Sequence, residues 1–115
     1  MSDTPWSFNE YQRRFPFFGI YLVPEEGYTM RDPLPKIVCK DGFSLSVQAS
    51  RYHYCNPRAN EMENYYEVEV GFPARREELL MPYAEDPDNP TGTVYSYVPV
   101  KLVETIVAAH GGVER

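Results

Sequence analysis

Reactive side-chain types crowd together in one stretch of the chain, Arg51-Tyr52-His53-Tyr54-Cys55-Asn56-Pro57-Arg58. A cysteine attacks through its thiolate, and a neighbouring imidazole raises the thiolate fraction. His53 stands two residues before Cys55, so in extended backbone both side chains project to the same face. Shared facing is not a hydrogen bond, and no third group that would orient the imidazole is identifiable. A buried thiol beside a hydrogen-bonded loop histidine accounts for the pair more simply. Chemistry at Cys55 and His53 therefore ranks third among the functional readings, and no catalytic residue is assigned.

The same stretch carries two arginines, two tyrosines and no acid. Guanidinium groups fork onto phosphates and tyrosine rings stack on bases, so Arg51, Tyr52, His53, Tyr54 and Arg58 form a candidate ligand site for a nucleotide. No glycine-rich phosphate loop accompanies them. The simpler expectation pairs Arg51 and Arg58 with Glu61, Glu63 or strand carboxylates while the tyrosines pack. Cys39, His53, Cys55 and His110 could offer zinc two sulfurs and two nitrogens, but their spacing matches no paired knuckle. No metal and no cofactor is expected.

Carboxylates are the other concentrated chemistry. The 115 residues carry 11 basic and 17 acidic side chains, a net charge of −6. The surplus lies between Glu61 and Asp88, where Glu61, Glu63, Glu67, Glu69, Glu77, Glu78, Glu85, Asp86 and Asp88 face only Arg75 and Arg76. Such a stretch can steer a basic partner or imitate nucleic-acid phosphates, although outward glutamates on a strand are ordinarily its solvated side. The acidic total opposes direct nucleic-acid binding. No spacing selects a carboxylate pair for glycosidic acid and base work. A third candidate surface is the aromatic N-terminal element, with Trp6, Phe8, Tyr11 and Phe15; such rings more often pack into a core than stand out as a docking face.

The elements that must position these groups can be read from punctuation and period. Thr4 and Pro5 open a short helix in which Phe8, Tyr11 and Phe15 share a side, stopped by Pro16. Residues 19–23 and 28–30 read as short strands about Glu25-Glu26-Gly27. Asp41-Gly42 is a hairpin signal of the type I′ kind between residues 36–40 and 43–49, with Phe43, Leu45 and Val47 on one face and Ser44, Ser46 and Gln48 on the other. Residues 50–64 have no clear period. In residues 65–72, Tyr66, Val68, Val70 and Phe72 are expected inward, and Tyr65, Glu67 and Glu69 outward. Residues 74–81 read as two helical turns ended by Pro82, residues 85–92 as loop and residues 94–98 as a strand. Pro99 opens a C-terminal helix that ends at His110 before Gly111-Gly112, with Leu102, Val103, Ile106 and Val107 as its buried stripe. The expected class is α+β: a small antiparallel sheet of about four to six strands, packed by the C-terminal helix and the short N-terminal one.

Several of these blocks recur together elsewhere. Lys40 to Ser50 (KDGFSLSVQAS), His53-Tyr54-Cys55 with Pro57-Arg58, Val68 to Pro73 (VEVGFP), Thr93-Val94-Tyr95, Tyr97-Val98-Pro99 and His110-Gly111-Gly112 resemble an uncharacterised family of small proteins encoded by tailed bacteriophages, over about residues 36–112. The resemblance brings no activity and no site residues. It implies an accessory factor that acts on host systems, including CRISPR and other antiviral defences. Residues 1–35 lie outside the pattern, as an aromatic-rich extension on a core of 36–112 within a single domain of residues 1–115.

Two cysteines point to free thiols in a reducing compartment. Arg13-Arg14 before the apolar run 15–23 has the outline of a twin-arginine export signal, but the run contains Pro16 and Gly19, ends at Pro24-Glu25-Glu26 and lacks an Ala-x-Ala site. It is also too short to span a bilayer. The expected location is the host cell cytoplasm. The expected function is non-catalytic binding to, and inhibition of, a host protein or complex, anti-CRISPR-like, without membrane contact. The alternative is a nucleotide-binding protein that sequesters a defence signal.

Overall fold

The strongest local signal, Asp41-Gly42, closes a hairpin in the computed structural model, which describes residues 5–19 and 29–114. The elements in chain order are α1 (Phe8–Gln12), β1 (Phe18–Gly19), β2 (Thr29–Met30), β3 (Ile37–Val38), β4 (Ser44–Gln48), β5 (Glu67–Gly71), a 3₁₀ helix (Glu78–Tyr83), β6 (Val94–Pro99) and α2 (Val100–Ala109). β3, β4, β5 and β6 form an antiparallel sheet in that order, and β1 and β2 form a separate antiparallel ribbon. The architecture is α+β, and no helix among the described residues is long and apolar enough to cross a membrane. The expected turn at Glu25-Glu26-Gly27 lies outside the described residues.

The hairpin differs from its expected type. Cys39 N–H donates to Phe43 O and Gly42 N–H to Cys39 O, so three residues form the connection, and Gly42 alone has positive φ, at 91°. The Asp41 carboxylate accepts Phe43 N–H at 2.9 Å, a local bond that the three-residue loop makes available. This is the turn-plus-bulge solution to a short hairpin.

Leu45 and Val47 of β4, Val68 and Val70 of β5, and Tyr95 and Val98 of β6 are wholly buried, as are Val103 and Ile106 of α2. Burial of each such side chain contributes roughly 1.5–3 kcal/mol. Leu102, expected in the same stripe, is only half-buried. The expected facing of residues 65–72 holds for the pleat itself and fails at both ends. Tyr66 is 67% exposed and Tyr65 is buried, because Tyr66 N–H and Glu67 N–H both turn to Asn56 O before regular pairing begins. Phe72 is 50% exposed because its φ of 51° breaks the alternation. Residues 74–81 do not form the expected helical turns before Pro82. Leu80 N–H bonds Glu77 O across three residues, and the tighter 3₁₀ helix takes Pro82 inside it.

Ser7 caps α1, and the helix spans five residues rather than reaching Phe15; the expected cap, Thr4, lies outside the described residues. A helix that short is unstable alone, so its neighbours hold it. Phe8 is fully buried and its N–H donates to Glu104 of α2 at 2.9 Å. Asn9 clasps the Tyr65 backbone in both directions, accepting Tyr65 N–H at 2.8 Å and donating to Tyr65 O at 3.0 Å. Gln12, also buried, donates to Met62 O and Glu63 O. Trp6, Tyr11 and Phe15 pack against the core. Both outer edges of the sheet are paired over part of their length: Cys39 bridges Val113 beside β3, and Ala84 bridges Tyr95 of β6.

Candidate functional site

β4 releases β5 after Gln48↔Glu69, and the same edge of β5 is taken up again by a bridge from Asn56 to Glu67. The residues between form a compact excursion over the end of the sheet, and they include the reactive stretch. Tyr54 N–H donates to Glu69 Oε1 at 3.1 Å, and Tyr54 O accepts Tyr97 N–H at 3.1 Å. The second bond depends on a bulge in β6. Val68 pairs with Val98 and Val70 with Tyr95, so Ser96 and Tyr97 together face Glu69. The extra residue is accommodated by a Tyr97 φ of 54°, in the left-handed region.

Tyr97 is thereby turned out beside Tyr54, their ring centroids 6.1 Å apart, with Arg58 over the Tyr54 ring at 5.2 Å. Tyr54 and Tyr97 remain 41% and 43% exposed. Glu67 and Glu69 alternate with buried Val68 and Val70 and so lie on the same outer face. Ser96 donates to Glu85 at 2.6 Å, which adds a third carboxylate across β6. This outer face is the candidate site: two tyrosines, a stacked guanidinium and three glutamates.

Within the excursion the chemistry is restrained. Cys55 Sγ donates to Ser50 O at 3.1 Å and to Pro57 O at 3.3 Å, and burial pushes the thiol pKa up. Both effects favour the protonated thiol over a nucleophilic thiolate. His53 turns to Ser50 instead, with Nδ1 2.6 Å from Ser50 Oγ. The Ser50 hydroxyl also accepts Tyr52 N–H, and the direction of its contact with Nδ1 follows the imidazole tautomer. Burial lowers the His53 pKa, consistent with a neutral ring. Arg58 does not pair with a carboxylate among the described residues; its Nε–H donates to Arg51 O at 3.1 Å. Arg51 N–H donates to Asn60, and the Arg51 guanidinium lies 5.7 Å from the Tyr52 ring centre.

The remaining predicted residues are scattered. Glu61 and Glu63 are exposed beside α1. Glu78 pairs with Arg76 at 2.6 Å, and Asp86 accepts Asp88 N–H within their own turn. Glu77 accepts His110 Nε2 at 3.0 Å, while Asp41 lies 2.6 Å from His110 Nδ1 and Phe43 stacks on the imidazole at 4.1 Å. His110 and Cys39 thus lie at the hairpin end of β4, and His53 and Cys55 at its other end. No three His, Cys, Asp or Glu among the described residues are grouped to hold a metal.

Two contributors were not identified from sequence. Tyr97 had one signal: Tyr95 and Val98, the buried pair of β6, are three apart, which strict alternation forbids. Arg31 had none. Its Nη1 donates to Gln12 O, Gln12 Oε1 and Phe15 O, and its Nη2 to Ala49 O, joining α1 to the end of β4.

Comparison with known protein families, curated proteins and solved structures finds no match to the chain.

Proposed function

We propose that the chain is a non-catalytic phage accessory protein that docks on a host protein through the outer face of β5 and β6 and inhibits a defence complex, a CRISPR component being the leading class. The observation that carries this reading is Tyr97. Holding a tyrosine at positive φ costs about 1–3 kcal/mol. The tilted contact with Tyr54 offsets about 0.5–1.5 kcal/mol, and the backbone bond to Tyr54 O would be made by any residue at that position. A residue kept at such a cost, and left exposed, fits a contact made outside the chain. Tyrosine and arginine are the side chains that most often dominate protein interfaces. Glu67, Glu69 and Glu85 around them suit a basic partner surface, such as a groove that otherwise holds nucleic acid. The resemblance to small phage proteins supports a host target and a place in the host cytoplasm.

The test is capture from a lysate of the bacterial host at near-physiological salt, using wild type, Tyr97→Ala and the double variant Glu67→Lys/Glu85→Lys. Both variants should lose the captured defence component by at least tenfold while keeping the wild-type far-UV spectrum. Equal capture by all three forms would reject this face.

A further inference from the structure

We infer that a cleft on the other side of the 50–58 excursion, between Arg31 and His53, is a small-molecule site for a compact, flat ligand with one negatively charged oxyanion. This goes beyond the docking reading and does not depend on it.

The charge comes from Arg31. Its guanidinium is partly buried, and all four of its hydrogen-bond acceptors are neutral amide oxygens. No carboxylate among the described residues forms an ion pair with it, and burial lowers its pKa. A guanidinium has five N–H donors. The two on Nη1 are shared by three oxygens and one on Nη2 takes Ala49 O, so Nε–H and the second Nη2–H have no acceptor among the described residues. A guanidinium with spare N–H donors is the group that grips a carboxylate or phosphate edge. His53 lines the same cleft, and its Nε2 has no hydrogen-bond partner among the described residues.

Shape and charge narrow the ligand. The cleft encloses about 200 Å³, below the roughly 300 Å³ at which drug-sized sites begin. Phe17, which lies 4.3 Å from the Arg31 guanidinium, and Tyr52 give it aromatic walls suited to a flat ring. Asp32 also lines it and opposes a ligand with several negative charges. A whole nucleotide is therefore too large, and a di- or triphosphate is also too charged; a ring of benzoate size with one carboxylate or phosphate group fits.

The test is calorimetric titration of the full chain with benzoate, phenyl phosphate, inorganic phosphate and, as the neutral control, benzyl alcohol. Benzoate or phenyl phosphate should saturate in the micromolar to low-millimolar range, at least tenfold more tightly than benzyl alcohol. The tighter of the two identifies the oxyanion, and inorganic phosphate binding as well as either would remove the ring requirement and overturn the inference. His53→Ala should weaken binding about tenfold with an unchanged thermal transition. Arg31→Lys keeps the charge, loses the fork and should weaken binding further; because Arg31 also anchors α1, His53→Ala decides the outcome if that variant unfolds. No saturation by either aromatic anion, equal binding of benzyl alcohol, or equal binding by His53→Ala would each overturn the assignment.

Discussion

His110 shows how one side chain can fasten three segments. Both ring nitrogens meet carboxylates, Glu77 before the 3₁₀ helix and Asp41 in the hairpin turn, so the ring binds best as the imidazolium. The bond to Glu77, then that to Asp41, raises its pKa above 6.5. The Phe43 N–H, then His110, holds the Asp41 carboxyl below 3.8. The histidine contribution is therefore complete below pH 6.5 and is lost as pH rises through the raised value. The aspartate contribution is complete above pH 3.8 and is lost as pH falls through the depressed value. Denaturant titrations of wild type and His110→Gln should differ most between those limits and should converge at alkaline pH. A difference independent of pH would assign His110 a packing role only. His110 was legible in sequence as a helix-end residue, but its carboxylate partners lie 33 and 69 residues away and no local pattern indicates them. Arg31 was hidden for the same reason: its acceptors are three backbone oxygens and the Gln12 side-chain amide oxygen, from two distant segments.

At the scale of elements, the sequence was most informative where backbone chemistry is local. Asp41-Gly42, the alternation of β4 and the Pro-to-Gly span of α2 all carry their own signals, and all three elements form. The errors fall where tertiary contacts override a period: the ends of β5, the bulge in β6, and residues 74–81. Two substitutions test these local geometries. Gly42→Ala meets open space, with no atom within 4 Å of the added methyl, so its cost should come only from φ and amount to about 1–2 kcal/mol. Tyr97→Asn retains the backbone bond to Tyr54 and substitutes a residue that tolerates the left-handed region. It should leave the melting temperature equal or a few degrees higher while abolishing partner capture. A fall of more than about 2 kcal/mol would make Tyr97 a packing residue, and the cost argument for docking would fail.

At the scale of the molecule, the question is whether the aromatic N-terminal element stands apart from the rest. Phe8 is in the core, Asn9 holds the Tyr65 backbone and Glu104 of α2 receives the first helical N–H, so α1 and the sheet should unfold together. Trp6, the one tryptophan, reports on α1, whereas far-UV circular dichroism reports on the whole chain. Their urea midpoints should coincide, and Phe8→Ala should lower both in parallel by about 3–5 kcal/mol of stability. An earlier fluorescence transition would reveal an independently melting extension. The paired outer edges have a different consequence. With the flanks of the sheet partly occupied by residues 84–85 and 112–114, an added backbone strand has little room, and on the proposed docking reading discrimination rests on side chains such as Tyr54, Tyr97 and Glu67. Side chains on a solvated face can be exchanged without disturbing the pleat beneath them. On the proposed docking reading, the same scaffold can thus change its target by a few point substitutions.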